Sequence, residues 1–157
     1  MKPLFLIPIA LLLGCNAVGP ASAPDATAAL APPVPARTVG QPIVMRIRGL
    51  HGMTNKVNRN VRKELERALK ARGVKITSRP AGWTHELRGR FTSLNEANAT
   101  SVAYVYDIAP AGRATSIRVT GFERAAGSSS DPWGGVDGTL ARRLALRSTE
   151  RILERLR

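Results

Sequence analysis

"SVAYVYDIAPAGRATSIRVTGFE", residues 101–123, alternates along an extended chain and reverses once. Val102, Tyr104, Tyr106 and Ile108 fall on one side, the period of a half-buried strand. Ala111-Gly112 supplies a turn, and the return through "RATSIRVTGFE" predicts an antiparallel hairpin. Upstream, "HELRGRFTSL" (residues 85–94) sets Leu87 and Phe91 against Arg88 and Arg90. "GVKITS" (73–78) reads as a short strand. "IVMRIRG" (43–49) alternates Ile43, Met45 and Ile47 against Val44, Arg46 and Arg48.

Two helical periods interrupt this pattern. Val57, Val61, Leu65, Ala68 and Leu69 share one face of a helix that Thr54 caps and that runs to about Arg72, where Gly73 ends it. After the loop "GSSSDPWGG" (127–135), Val136, Leu140, Leu144, Ile152 and Leu156 recur at spacings of four or eight. The order β-α-β-β-β-β-α predicts an α+β two-layer sandwich. Its sheet is antiparallel or mixed, with about four to five strands, and two helices cover one face.

Charge narrows the partners. The chain carries 24 Lys and Arg against 11 Asp and Glu, a net +13. Setting aside Lys2, Asp25 and Arg37 leaves about +12 on residues 42–157, a field that favours anionic partners. Much of it lies on the polar sides of the two helices. The first shows Lys56, Arg59, Arg62, Lys63, Arg67 and Lys70, and the last shows Arg142, Arg143, Arg147, Arg151 and Arg155. Such rows are either solvated faces or binding surfaces. Arg59, Arg62, Lys63, Arg143 and Arg147 are the candidates for contact with an anion.

Which anion depends on location, and the amino terminus speaks to that. Lys2 precedes an apolar run of 12 residues, Pro3 to Gly14. This is too short to span a bilayer and is built like an export signal. The run ends in "LLGC" (12–15), which resembles the lipobox of bacterial lipoproteins. The resemblance implies cleavage after Gly14, a signal peptide over residues 1–14, and diacylglycerol joined to the thiol of Cys15. Asn16 is not the Asp that retains such proteins in the inner membrane. By the same resemblance the destination is the outer membrane, with the domain facing the periplasm. Phospholipid headgroups, lipopolysaccharide, peptidoglycan and envelope protein complexes are then the expected partners, and nucleic acid is not. Residues 15–41 join the lipidated Cys to an Ala- and Pro-rich tether that lacks apolar periodicity and is expected to be disordered. Residues 42–157 are expected to form one basic periplasmic domain.

The carboxy-terminal part carries a second resemblance, through Tyr104, Asp107, Gly112, Arg113, Gly121, Glu123, Asp131, Pro132 and Trp133. It is similar to a family of small, uncharacterised alphaproteobacterial lipoproteins over roughly the last 60 residues, and more loosely over the first helix. Tyr106 stands where that family usually has Trp, and Phe122 where it has Glu. The resemblance implies fold and location, and no reaction. The order of elements is also similar to envelope accessory lipoproteins, such as the partner of the lipopolysaccharide translocon and the activators of peptidoglycan synthases.

Residues with catalytic chemistry are sparse. His51 and His85 are the bases available near neutral pH, and no nucleophile elbow accompanies them. His, Cys and Asp show no metal-ligand spacing. No catalytic residue, metal or cofactor is therefore assigned. Trp133 either docks on the sheet to clamp the last helix or stands exposed as a recognition anchor, and Trp83 invites the same two readings. The function expected is a non-enzymatic outer-membrane lipoprotein that binds an anionic envelope component or serves envelope assembly. The alternative is an envelope hydrolase or transferase with a site near Asp131 and Trp133.

Overall fold

A computed structural model describes residues 41–127 and 129–157 of the chain. The expected signal peptide, Cys15 and the expected tether up to residue 40 lie outside the described residues. In chain order the elements are β1 (Val44–His51), α1 (Asn55–Ala71), β2 (Lys75–Ile76), β3 (His85–Glu96), β4 (Ala99–Pro110), β5 (Ile117–Ala126) and α2 (Gly138–Leu156). This is the expected α+β order, and the five strands form one mixed sheet in the order β2-β1-β3-β4-β5.

The predicted hairpin is β4 and β5, with Tyr104 opposite Gly121 and Tyr106 opposite Val119. Strands β3 and β4 form a second, longer hairpin closed by Ala97 and Asn98, with Glu96 opposite Ala99. Both strands outrun their apolar patterns. Asn95 and Thr100 pair directly across the ladder, and the Thr100 hydroxyl donates to Asn95 Oδ1 at 3.1 Å. Polar side chains that resemble a loop in sequence are thus matched to each other in the sheet.

The other half of the sheet is parallel. β1 pairs with β2 on one side and with β3 on the other, and Ile76 and His85 both align with Met45. Residues 77–84 therefore carry the chain from one flank of β1 to the other. Arg46 pins this crossing: its guanidinium lies 4.7 Å from the centre of the Trp83 ring and donates to the Pro80 carbonyl at 3.2 Å. The Trp83 indole N–H donates to the same carbonyl at 3.0 Å.

Both helices pack on one side of the sheet. Val57, Val61, Leu65, Ala68 and Leu69 of α1 are buried, the face that periodicity selects. Leu140, Leu144, Ile152 and Leu156 of α2 are buried as well, whereas Val136 precedes the helix. Asp137, not Val136, marks the start of α2, because its carboxylate accepts from Leu140 N at 2.7 Å and satisfies one of the helix's first N–H groups. Phe91, Tyr104 and Tyr106 form the aromatic part of the core, with ring centres 5.4 to 5.5 Å apart along the chain of contacts. The other side of the sheet carries no helix among the described residues.

Candidate functional site

The α1 surface keeps its cations free. Lys56, Arg59, Lys63, Arg67 and Lys70 are exposed and make no ion pair among the described residues, while Arg62 meets Glu66 at 3.7 Å. At 1.5 Å rise per residue, Lys56 to Lys70 spans about 21 Å. Arg59, Arg62, Lys63, Glu66, Arg67 and Lys70 line a shallow groove along it.

Arg62 has a second role that periodicity does not show. It donates to the Ile47 carbonyl at 3.4 Å, and Asn58, one turn earlier, donates to the Leu50 carbonyl at 2.5 Å. Strand β2 covers only Val44 and Met45 on that flank of β1. Side chains of α1 therefore close the rest of this sheet edge.

The α2 arginines do the same at the opposite edge. Arg143 donates to the Arg124 carbonyl at 2.6 Å and meets Glu123 at 3.3 Å, and Arg151 donates to the Thr120 carbonyl at 2.7 Å. Eight residues of helix cover about 12 Å and four residues of strand about 13 Å, so α2 runs antiparallel to β5 with matched spacing. Arg147 stands between the two and meets Glu150 at 3.8 Å. Of the sequence-nominated candidates, Arg59, Arg62 and Lys63 share one surface, whereas Arg143 and Arg147 belong to the β5 edge.

Trp133 is half-buried and packs against the core. Its loop is fastened to β3: Ser93 Oγ donates to the Pro132 carbonyl and Asn95 donates to the Asp131 carbonyl at 3.0 Å. The Asp131 carboxylate accepts from Trp133 N at 3.0 Å, which holds the turn. Glu123 and Asp131 thus engage different partners, Arg143 and the turn. His85 Nδ1 lies 2.9 Å from the Thr84 hydroxyl, and His51 is exposed at the end of β1. Among the described residues, no group of three or more His, Cys, Asp and Glu is placed to hold a metal ion, and no helix is long and apolar enough to cross a membrane.

The bare face of the sheet holds a cluster that the sequence reading passed over. Glu86 is buried beneath Arg46 and Arg88, and it accepts from Arg88 Nε at 3.0 Å and Nη2 at 2.8 Å as well as from Arg46. Asp107 accepts from Arg118 Nε at 2.7 Å and from Arg90 Nη2 at 3.1 Å. Hydrogen bonds from Arg46, opposed by burial and reinforced by Arg88, hold the Glu86 carboxyl below the ordinary carboxylate range. Asp107 is lowered in the same way, first by Arg118, against burial, and then by Arg90. The signal for this cluster was present as Arg88 and Arg90 on the polar side of one strand, Asp107 on the next and Arg118 on the third. What was missing was the register that brings them together.

No family model matches the sequence, and no curated protein does. Among solved structures, the fold is similar to that of a hypothetical protein from Chlamydia trachomatis, with a TM-score of 0.51 and 9% identity over 74% of this chain and 98% of that one. A PelC dodecamer from Paraburkholderia phytofirmans matches with a TM-score of 0.44 and 14% identity, over 69% of this chain and 86% of that one. A lipoprotein from Neisseria meningitidis matches with a TM-score of 0.43 and 10% identity, over 74% of this chain and all of that one. At such identities the likeness is one of fold.

Proposed function

We propose that this chain is a non-enzymatic lipoprotein, anchored through Cys15 to the periplasmic side of the outer membrane, whose basic α+β domain binds an anionic component of the envelope. The observation that carries this reading is the α1 stripe, in which Arg59, Lys63, Arg67 and Lys70 follow one another without an ion pair among the described residues. A row of like charges on one helix is mutually repulsive, and an anion laid along it relieves that repulsion. The envelope offers such anions in lipopolysaccharide phosphates, phospholipid headgroups and peptidoglycan carboxylates. A role in envelope assembly follows if the anion belongs to a growing polymer or to its carrier.

The test uses the full chain in mild detergent, with immobilised lipopolysaccharide or purified peptidoglycan sacculi. The unaltered protein is expected to be retained at low salt and released as salt rises. A variant with Arg59, Lys63, Arg67 and Lys70 changed to Ser is expected to elute at markedly lower salt from the same matrix. Equal retention of the two proteins on both matrices would remove the stripe as the binding surface.

A further inference from the structure

We propose that the arginine cluster on the bare face of the sheet, around Asp107, is a discrete binding site for a phosphoryl group. The register sets Arg88, Asp107 and Arg118 side by side across β3, β4 and β5. Neighbouring strands lie about 4.8 Å apart, so the backbones of Arg88 and Arg118 stand about 10 Å apart with that of Asp107 between them, and the Arg88 guanidinium turns to Glu86. Arg90 lies two residues further along β3 on the same face, opposite His51 of β1. The side chains of Arg90 and Arg118 are 70% and 62% exposed, while that of Asp107 beneath them is 17% exposed.

The carboxylate occupies a small part of each guanidinium. Arg118 gives Asp107 only its Nε–H, and Arg90 gives only one Nη2–H. A guanidinium carries five N–H donors in a rigid plane, so most of each fork still faces outward. Asp107 thereby fixes two flexible side chains in advance, which lowers the ordering cost of gripping a ligand. Arg46 is not available to such a ligand, since Glu86, the Pro80 carbonyl and the Trp83 ring already engage it. Four guanidiniums against the two carboxylates leave a local excess of positive charge.

Shape and donor number select the class of anion. The cluster lines a concavity walled on one side by Ala114 and Ser116 of the β4–β5 loop. A carboxylate has two coplanar oxygens and saturates one fork, whereas a tetrahedral phosphoryl group presents oxygens to two or three forks at once. This site lies on the opposite side of the sheet from the helices and is independent of the α1 stripe.

Inorganic pyrophosphate serves as the probe, titrated by calorimetry into the full chain in neutral detergent. Saturable one-site binding is expected. Changing both Arg90 and Arg118 to Gln should weaken it by about tenfold or more, the scale of one lost charged hydrogen bond. The α1 Ser variant, which removes four charges on the other side of the sheet, should lose less affinity for pyrophosphate than the Arg90 and Arg118 change does. Arg118→Lys is the control for folding: it preserves the charge over Asp107 but removes the fork, and it should melt at the same temperature while binding more weakly. Doping the micelles with phosphatidylglycerol separates the sources: loss of pyrophosphate binding identifies a lipid headgroup as the ligand, and undiminished binding identifies a free or polymer-borne phosphoryl group. Absence of saturable binding, indifference to the Arg90 and Arg118 changes, or an equal loss in the α1 variant would each overturn the assignment. The α1 stripe can fail its own salt-elution test without altering any of these outcomes.

Discussion

Tyr104 and Gly121 face each other across β4 and β5, and the pair is explained by packing rather than by chemistry. The Tyr104 hydroxyl is buried and has no hydrogen-bond partner among the described residues. Burial raises its pKa, and Arg151 nearby opposes that rise without donating to it. A Cβ built on Gly121 would fall 2.3 Å from the hydroxyl and 2.6 Å from Arg151 Nη1. Glycine is therefore required here by close approach. A buried hydroxyl without a partner carries its full desolvation cost, so Tyr104→Phe is expected to leave stability unchanged or raise it by about 1 kcal/mol. Gly121→Ala is expected to lower it by about 1–3 kcal/mol through overpacking. Urea denaturation of both variants decides the matter. A loss above about 2 kcal/mol in Tyr104→Phe would mean that the hydroxyl does bond in the folded protein.

At the scale of elements, the sheet has two edges, and each helix guards one. An unprotected edge strand invites pairing with another chain. Here Asn58 and Arg62 occupy carbonyls of β1, and Arg143 and Arg151 occupy carbonyls of β5. Changing Arg143 and Arg151 together to Ala should free the β5 edge. The expected result is a loss of about 1–3 kcal/mol, from two charged hydrogen bonds, and a shift to larger species in sedimentation velocity relative to the unaltered chain. An unchanged sedimentation profile at high concentration would show that the arginines are not what protects this edge.

The same elements show how far the sequence could be read. The apolar periods of α1 and of the β4–β5 hairpin mark buried faces directly, because side-chain burial repeats with the backbone's own period. Strand order does not follow from period. Nothing in "GVKITS" says that two residues of it will lie parallel to β1 while β3 takes the other flank. The basic rows were legible as rows, but their division of labour was not. Arg59 and Arg62 look alike in sequence, yet only Arg62 lies near enough to β1 to reach the Ile47 carbonyl. The bare-face cluster shows the same limit, since four strands contribute to it and only their register makes Asp107 a neighbour of both Arg90 and Arg118.

At the scale of the whole molecule, the proposed anchor and the proposed basic surfaces make different physical demands on membrane attachment. Two or more acyl chains on Cys15, at about 0.8 kcal/mol per buried methylene, hold a protein at the bilayer regardless of salt. Attraction between Arg or Lys and anionic headgroups is screened within about 10 Å at 0.1 M salt, so it yields to a salt wash. The two contributions therefore separate in one experiment. In cells given a fatty-acid probe, the unaltered chain is expected to take up label and to stay with the membrane fraction through a high-salt wash. Cys15→Ser is expected to lose the label, and whatever part of it sediments with membranes at low salt should be released by the wash. Combining Cys15→Ser with the four α1 substitutions should reduce the low-salt fraction further. Label retained on Cys15→Ser, or its membrane fraction surviving the wash, would move the attachment away from Cys15.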